Sequence, residues 1–496
     1  MELGKRNLFC DDLPTKPRPE IGTVLVSGAT GYIGGRLVPE LLARGYRVRV
    51  MVRADSPDLR ERWPGADIQI VDALDKNALR KALKNVHTAY YLIHSMLLGQ
   101  KKFEEADIQA AMNFKAAAEA NQINRIIYLG GLGDIKTPLS PHLRSRMQVA
   151  CELCQGSVPV TVLRSAIIIG SGSASYEIIK NLVKNLPIFF SPIWARTKCQ
   201  PIAIRDVIKY LVGVMELEET RGKSYDIGGR EILTYQEMMK ALAKILGKKR
   251  IFIPLPLSIS RVYAYITSLV TPVPASITLC LMGGCKSEVV CQEHSLQKIF
   301  PLRPLTYKEA IIRAMTREEQ DRIHTRWSDA YPPAHELAIK LRELPAPPRF
   351  TCTYSLLTGK SRASLFKNIC RIGGKQGWFN SNLLWRLRGL IDRILMGVGT
   401  SRGRRSNNQL RPNDVIDFWR VEEIQPDEML LLRAEMKLPG KAWLQFRITP
   451  EQDNNRLTVQ PFFSTGSVWG RVYWYLFLPF HHFIFYDILR QIEKRS

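Results

Sequence analysis

Acidic residues are in short supply: 46 Asp and Glu face 71 Lys and Arg, a net charge of +25. The surplus is spread along the chain, and no run of five or more basic residues occurs. Aromatic and basic residues form no nucleic-acid motif, so nucleic acid is not an expected partner. A solvated basic surface is the plain reading, and contact with anionic lipid or membrane is the alternative. No leader is expected from residues 1–20, which mix Lys5, Arg6, Asp11, Asp12 and Pro14 without an apolar stretch. The nine cysteines are odd in number and scattered, which fits a reduced, cytoplasmic setting and leaves membrane association open. Cys151 and Cys154 make a lone CxxC with no second pair at ligand spacing. No metal site is expected, and both thiols are read as buried on a helix. Unbroken apolar spans are missing too. Residues 262–285 carry no charge, but Pro272 and Pro274 interrupt them; residues 472–486 are aromatic but short, and contain Pro479, His481 and His482. Both read as buried helices, with membrane-surface attachment as the second reading.

What is present is ordinary globular material, 45% apolar and 24% charged, in a chain of 496 residues. That length implies two or three domains. A polar, proline-containing tail of residues 1–20 comes first. Then "TVLVSG", "RVRVMVR", "DIQIVD", "TAYYLIH", "RIIYLGG" and "VTVLRSAIIIG" read as strands, apolar on both faces. Helical stretches such as "GRLVPELLARG" alternate with them, which predicts an α/β, doubly wound parallel sheet over residues 21–330. Within it, residues 171–330 read as a small substrate-capping region. Pro332, Pro333, Pro345, Pro347 and Pro348 mark residues 331–349 as a linker. Six of the nine tryptophans follow it, and residues 350–496 read as an α+β domain ending in a long aromatic helix. A helix in this part has Leu383, Leu387, Leu390 and Ile394 on one face.

Gly28, Gly31 and Gly34 form GxxGxxG between a strand and a helix. Gly28 suits a tight turn, Gly31 a close backbone approach to a pyrophosphate, and Gly34 a helix lying near the sheet. With Thr30, Tyr32 and Ile33 they form a Rossmann-type loop for a nicotinamide dinucleotide. The second strand ends at Arg53, which suits the 2′-phosphate of NADP through bidentate hydrogen bonds. Nearby Asp55 keeps NAD open. Asp72, ending the third strand, is read either as an adenine-side contact or as a strand-end cap.

The GATGYIGG form of this loop, with "IAIRDVIKYLVG" and "GGREILTYQEMM", resembles the atypical extended short-chain dehydrogenase/reductases. NmrA-like proteins, isoflavone-reductase types and the accessory subunit of respiratory complex I are the members it is most similar to. The resemblance implies a Tyr-x-x-x-Lys pair on one helix and a serine at the end of the fifth strand. The matching helix reads "HLRSRMQVACEL", with His142 at the tyrosine position and Arg146 at the lysine position; Gly130 and Gly131 stand at the serine strand end. Two readings stay open. His142 acts as acid/base while Arg146 binds, or the domain holds NADP(H) without redox chemistry, as a sensor or assembly factor. A hydrophobic or lipid-like substrate fits the first.

The C-terminal blocks, among them "RIGGKQGWF" and "GRVYWYLFLPFHHFIFYDIL", resemble an uncharacterised family fused behind such domains and similar to START/polyketide-cyclase-type helix-grip folds. The fold implies an apolar cavity for a hydrophobic ligand; plain core packing explains the aromatics as well. Arg402, Arg404 and Arg405 read as an exposed basic loop or an anionic headgroup clamp. Asp414, Asp417 and Glu435 read as partners for arginines, and adjacent His481 and His482 as a poor metal pair.

Overall fold

Six of the Val/Ile-rich runs become parallel strands: β1 (Thr23–Val26), β2 (Arg47–Val52), β3 (Asp67–Ile70), β4 (Val86–Tyr91), β5 (Arg125–Gly131) and β6 (Val160–Ser165). A seventh, β7 (Ser224–Ile227), joins them. The sheet runs β7-β6-β5-β4-β1-β2-β3, every pair parallel. The order is that of a Rossmann-type, doubly wound fold. The computed structural model describes residues 8–53, 58–94, 100–133, 140–255, 260–319, 326–327, 339–374, 377–400, 402, 404 and 410–496. Asp55, Pro332, Pro333 and Arg405 lie outside the described residues. The chain divides into two units, Met1–Val270 with Ala275–Pro333, and Thr271–Pro274 with Ala334–Ser496.

Strand alternation in the first unit feeds two cores. Val24, Val26, Val48 and Val50 pack on helices α1 (Gly34–Ala43) and α4 (Ile204–Glu216); Leu25, Met51, Ala89 and Tyr91 pack on α2 (Gln100–Ala120) and α3 (Pro141–Cys154). Residues 204–227, inside the stretch expected to cap the substrate side, therefore belong to the sheet layers. From Leu8 onward the N-terminal tail is docked. Phe9 and Cys10 are buried, and their amides donate to the Glu40 carboxylate at 2.7 and 3.1 Å. Burial pushes the Glu40 carboxyl above its usual range, against those two bonds.

The uncharged segment 262–285 forms two helices, Ser260–Val270 and Ala275–Gly284, parted at the proline-containing Thr271–Pro274. Among the described residues no helix is long and apolar enough to cross a membrane. Cys151 and Cys154 are exposed on α3. This corrects the reading of buried thiols: α3 packs inward through Ser145, Val149 and Leu153, and the two cysteines fall off that stripe.

The second unit is an antiparallel sheet crossed by a long helix. Strands β8 (Phe350–Thr351), β9 (Tyr354–Thr358), β10 (Val415–Ile416), β11 (Trp419–Gln425), β12 (Met429–Ala434), β13 (Lys441–Glu451) and β14 (Asn454–Ser464) run β8-β14-β13-β12-β11-β10, with β9 also on β14. Helix α5 (Asn382–Ile394) lies between β9 and β10, and helix α6 (Val468–Arg495) follows β14. Phe485, Ile488, Leu489 and Ile492 of α6 enter a core with Trp378, Trp385, Phe418 and Trp419. Trp378 and Trp385 stack at 4.3 Å between centroids. Arg402 and Arg404 are buried, which corrects the expectation of an exposed basic loop. Arg402 donates to Glu435 at 2.7 Å and to the Asp417 carbonyl at 3.0 Å; Arg404 donates to the carbonyls of Cys370 and Ile372. Several cations around Glu435 hold its carboxyl far below the usual range, against its burial. His481 packs edge-on to Trp474 and beside Phe485, whereas His482 meets Tyr354 and Tyr486.

Candidate active site

The chain winds outward from β1 to β3, then returns to the other side of β1 as β4. The crevice between β1 and β4 is the switch point where such sheets bind ligands. The glycine turn after β1 and Leu92–His94 after β4 meet there. A Cβ on Gly28 would stand 2.5 Å from the Leu92 carbonyl oxygen, and Gly28 has φ +64°, so glycine is required twice over. A Cβ on Gly34 would stand 2.5 Å from the Gly28 carbonyl oxygen and 2.8 Å from the Ala29 Cα. Bare backbone at Gly34 is what lets α1 lie so near the turn.

The N-terminus of α1 carries no side-chain cap: Ile33 occupies the capping position, and no acid lies in the first turn. Neighbouring helices differ, since Ser140, Ser173 and Thr234 each cap theirs with a hydroxyl. The Gly35, Arg36 and Leu37 amides already donate to the Gly31 and Ile33 carbonyls at 3.0 Å, so this N-terminus offers an external anion such as a pyrophosphate the positive end of its dipole and the turn before it. Thr30, Gly31, Tyr32 and Ile33 are half-buried in the loop. The Tyr32 ring carries the Arg36 guanidinium 4.4 Å from its centroid. Arg36, which sequence reasoning missed, is buried and donates to the Ser171 carbonyl at 2.7 Å, tying α1 to the segment beyond β6. Arg53 is exposed just past β2. Asp72 is exposed, and its Oδ1 accepts from the Leu74 amide at 2.9 Å, the geometry of a cap.

His142 sits near the start of α3, half-buried. Its Nδ1 lies 3.3 Å from Nε2 of His94, and His94 Nδ1 lies 2.8 Å from Oδ2 of Asp107 on α2. Asp107 is buried, and its Oδ1 has no hydrogen-bond partner. Three titratable groups therefore stand in line, Asp107, His94 and His142, beside the glycine turn. Burial is the main force lowering both histidines. At His142 the neighbouring His94 and Arg146 lower it further; at His94 the Asp107 bond opposes the drop. Asp107 fixes His94 as an Nδ1–H donor, and neutral His142 then donates Nδ1–H to His94 and keeps Nε2 open.

Arg146 is engaged with β5. Its guanidinium stacks 4.9 Å from the Tyr128 centroid and donates to the Leu129 carbonyl, and its own carbonyl accepts from the Tyr128 hydroxyl at 3.0 Å. A Cβ on Gly131 would meet Leu143 Cδ2 at 2.9 Å, so α3 presses on the strand end where a serine was sought. His94 and Asp107 lie 13 residues apart with no motif spacing; the only sequence trace was a polar residue ending the apolar run "YYLIH".

Residues 20–297 match the model of the NmrA-like family. Residues 347–488 match a family described as a protein of unknown function, DUF2867. The divinyl chlorophyllide a 8-vinyl-reductase of Arabidopsis thaliana is 24% identical over 260 residues, covering 49% of this chain and 61% of that protein. The chain thus spans about three-fifths of that relative's length. The ceramide reductase of Caulobacter vibrioides is 26% identical over 250 residues, 47% of this chain and 74% of that protein. A solved NADPH-dependent quinone oxidoreductase from Escherichia coli has a TM-score of 0.48 and 18% identity, over 59% of this chain and 99% of its own. Through residues 20–297, more than half of its length, the chain belongs to the NmrA-like family.

Proposed function

We propose that the first unit is an NAD(P)H-dependent reductase of a hydrophobic, lipid-like substrate, with His142 delivering the proton. The Asp107–His94–His142 line carries this reading. Gly28, Thr30, Gly31, Tyr32, Ile33 and Gly34 would hold the dinucleotide, with its pyrophosphate at the N-terminus of α1 and Arg53 toward a 2′-phosphate. The bound cofactor would supply hydride. The chain supplies the matching proton. One extra proton on the histidine pair, balanced by Asp107, makes His142 Nε2–H a donor to the site of negative charge left on the substrate. Depressed histidine basicity makes that proton easy to release. Two relatives named as reductases, a divinyl chlorophyllide a 8-vinyl-reductase and a ceramide reductase, support the substrate class. So does the uncharged stretch 262–285 in the helices 260–270 and 275–284: a Cβ on Gly283 would lie 3.4 Å from the Cβ of Ser140, the residue that caps α3.

The test measures NADPH and NADH binding by nicotinamide fluorescence, then cofactor oxidation with a divinyl chlorophyllide and with ceramide-type lipids. His142→Ala should leave nucleotide binding intact and lower turnover by roughly 10²-fold or more. Failure to bind either nucleotide sinks the reading. Binding without turnover favours a second reading, a non-catalytic NADP(H) sensor or assembly factor. The engagement of Arg146 with Leu129 and Tyr128 favours that alternative, because the guanidinium is spent on structure.

A further inference from the structure

Amphipathic helices normally turn their apolar stripe to the core. In the second unit α5 does the reverse. It buries Trp385, Gly389 and Asp392, while Leu383, Leu387, Leu390 and Ile394 are exposed, Leu383 by 77%. Leu395 and Met396 continue the exposed stripe past the helix end. The first half of α6 is apolar on both sides. Gly470 and Trp474 face inward, and Trp469, Val472, Leu476, Phe480 and Phe483 face out, Trp469 by 77% and Phe483 by 73%. From Trp469 to Phe483 that stripe is about 21 Å long at the helical rise. Surfaces this apolar on a folded unit mark a contact.

Charge narrows what the contact is. In residues 382–396 the one acid is Asp392, buried and bound by the Gly399 and Lys437 amides at 2.8 and 2.6 Å. Residues 468–486 hold no acid at all. Arg386 and Arg471 are the exposed charges among the two stripes. Two copies of a chain at +25 brought together by such faces would repel, whereas an anionic bilayer would attract them. Exposed Trp, Tyr and Phe beside arginine are the composition of helices lying in a headgroup layer.

We propose that α5 and the first half of α6 seat the second unit on the surface of anionic lipid bilayers. The stripes enter the headgroup boundary, and Arg386 and Arg471 meet lipid phosphates. The full chain is floated with phosphatidylcholine vesicles and with vesicles containing phosphatidylglycerol, and tryptophan emission is followed. The chain should bind the anionic vesicles at least tenfold more tightly, less so as salt rises, with a blue shift. Leu387→Ser with Leu390→Ser, and separately Trp469→Ser with Phe483→Ser, should each weaken binding at least tenfold. These positions are exposed, so the circular-dichroism melt should not change. No binding to anionic vesicles overturns the proposal, as does equal binding by the variants. A parent dimer that the same substitutions turn into monomer, without lipid binding, overturns it in favour of a second copy.

Discussion

Asp107→Asn isolates the charge behind the histidine pair while keeping the shape of the side chain. The Asp107 Oδ2 accepts from His94 Nδ1 at 2.8 Å in a buried site. A bond to a charged group contributes about 1.5–3 kcal/mol and a neutral one about 0.5–1.5. The substitution should therefore cost about 1.4 kcal/mol in the hold on a proton, about one pKa unit on His94. Burial already lowers His94, and the Asp107 bond is what opposes the drop. The proton-loaded form, scarce at neutral pH, should become about tenfold scarcer, and kcat should fall about tenfold with KM and NADPH affinity nearly unchanged. In the parent the rate should fall as pH rises, because the donor is the loaded form; in the variant that fall should move to lower pH. Nitrogen-15 spectra of the imidazoles read the same shift without substrate. Unchanged kcat and an unmoved pH profile would refute the relay. Lost NADPH binding would show that Asp107 merely holds the fold.

Other substitutions test separate parts. Arg53→Ala should weaken NADPH binding about tenfold and NADH binding little, by fluorescence titration; equal losses would defeat the 2′-phosphate assignment. Gly34→Ala places a methyl 2.5 Å from the Gly28 carbonyl oxygen, and should destabilise by about 1–3 kcal/mol in urea melts. His481 is lowered to about 4 by burial. Below an unfolded value of about 6.5 the unfolded chain takes the proton first, so acidification from pH 6.5 to 4 should cost up to about 3 kcal/mol. His481→Phe should remove that part of the pH slope, measured as urea stability at both ends of the window.

The glycine loop was legible because its requirements are local. A turn at positive φ and a helix pressed on backbone each exclude a side chain, and glycine records that in the sequence. The parallel sheet was legible for a similar reason, since strands buried on both faces carry Val and Ile without alternation. The Asp107–His94–His142 contacts were not legible. His142 could be placed from resemblance, but His94 and Asp107 belong to a strand end and a helix with no shared spacing. Only the return of the chain to β4 beside β1 brings them to the turn. The two arginines of the "RGRR" stretch that are described, Arg402 and Arg404, misled for the opposite reason. A Gly/Ser-rich basic stretch looks exposed until the half-buried Glu435 and the carbonyls of Cys370 and Ile372 are found waiting for it.

The sequence by itself determined the Rossmann-type first half, the glycine loop between its first strand and helix, the His142 and Arg146 identities in the helix over residues 141–154 and the change of composition after residue 350. All of these follow from neighbours in the chain: periodicity, turn chemistry and residue identity at a fixed spacing. Tertiary structure decided which groups share a site and which way a stripe faces. The leucines of α5 show the difference most plainly. Their spacing establishes a helix with one apolar face, but spacing is unchanged when a helix is rotated about its axis. Packing of Trp385 and Gly389 into the core, with Asp392 bound beneath, sets that rotation and leaves the leucines outside.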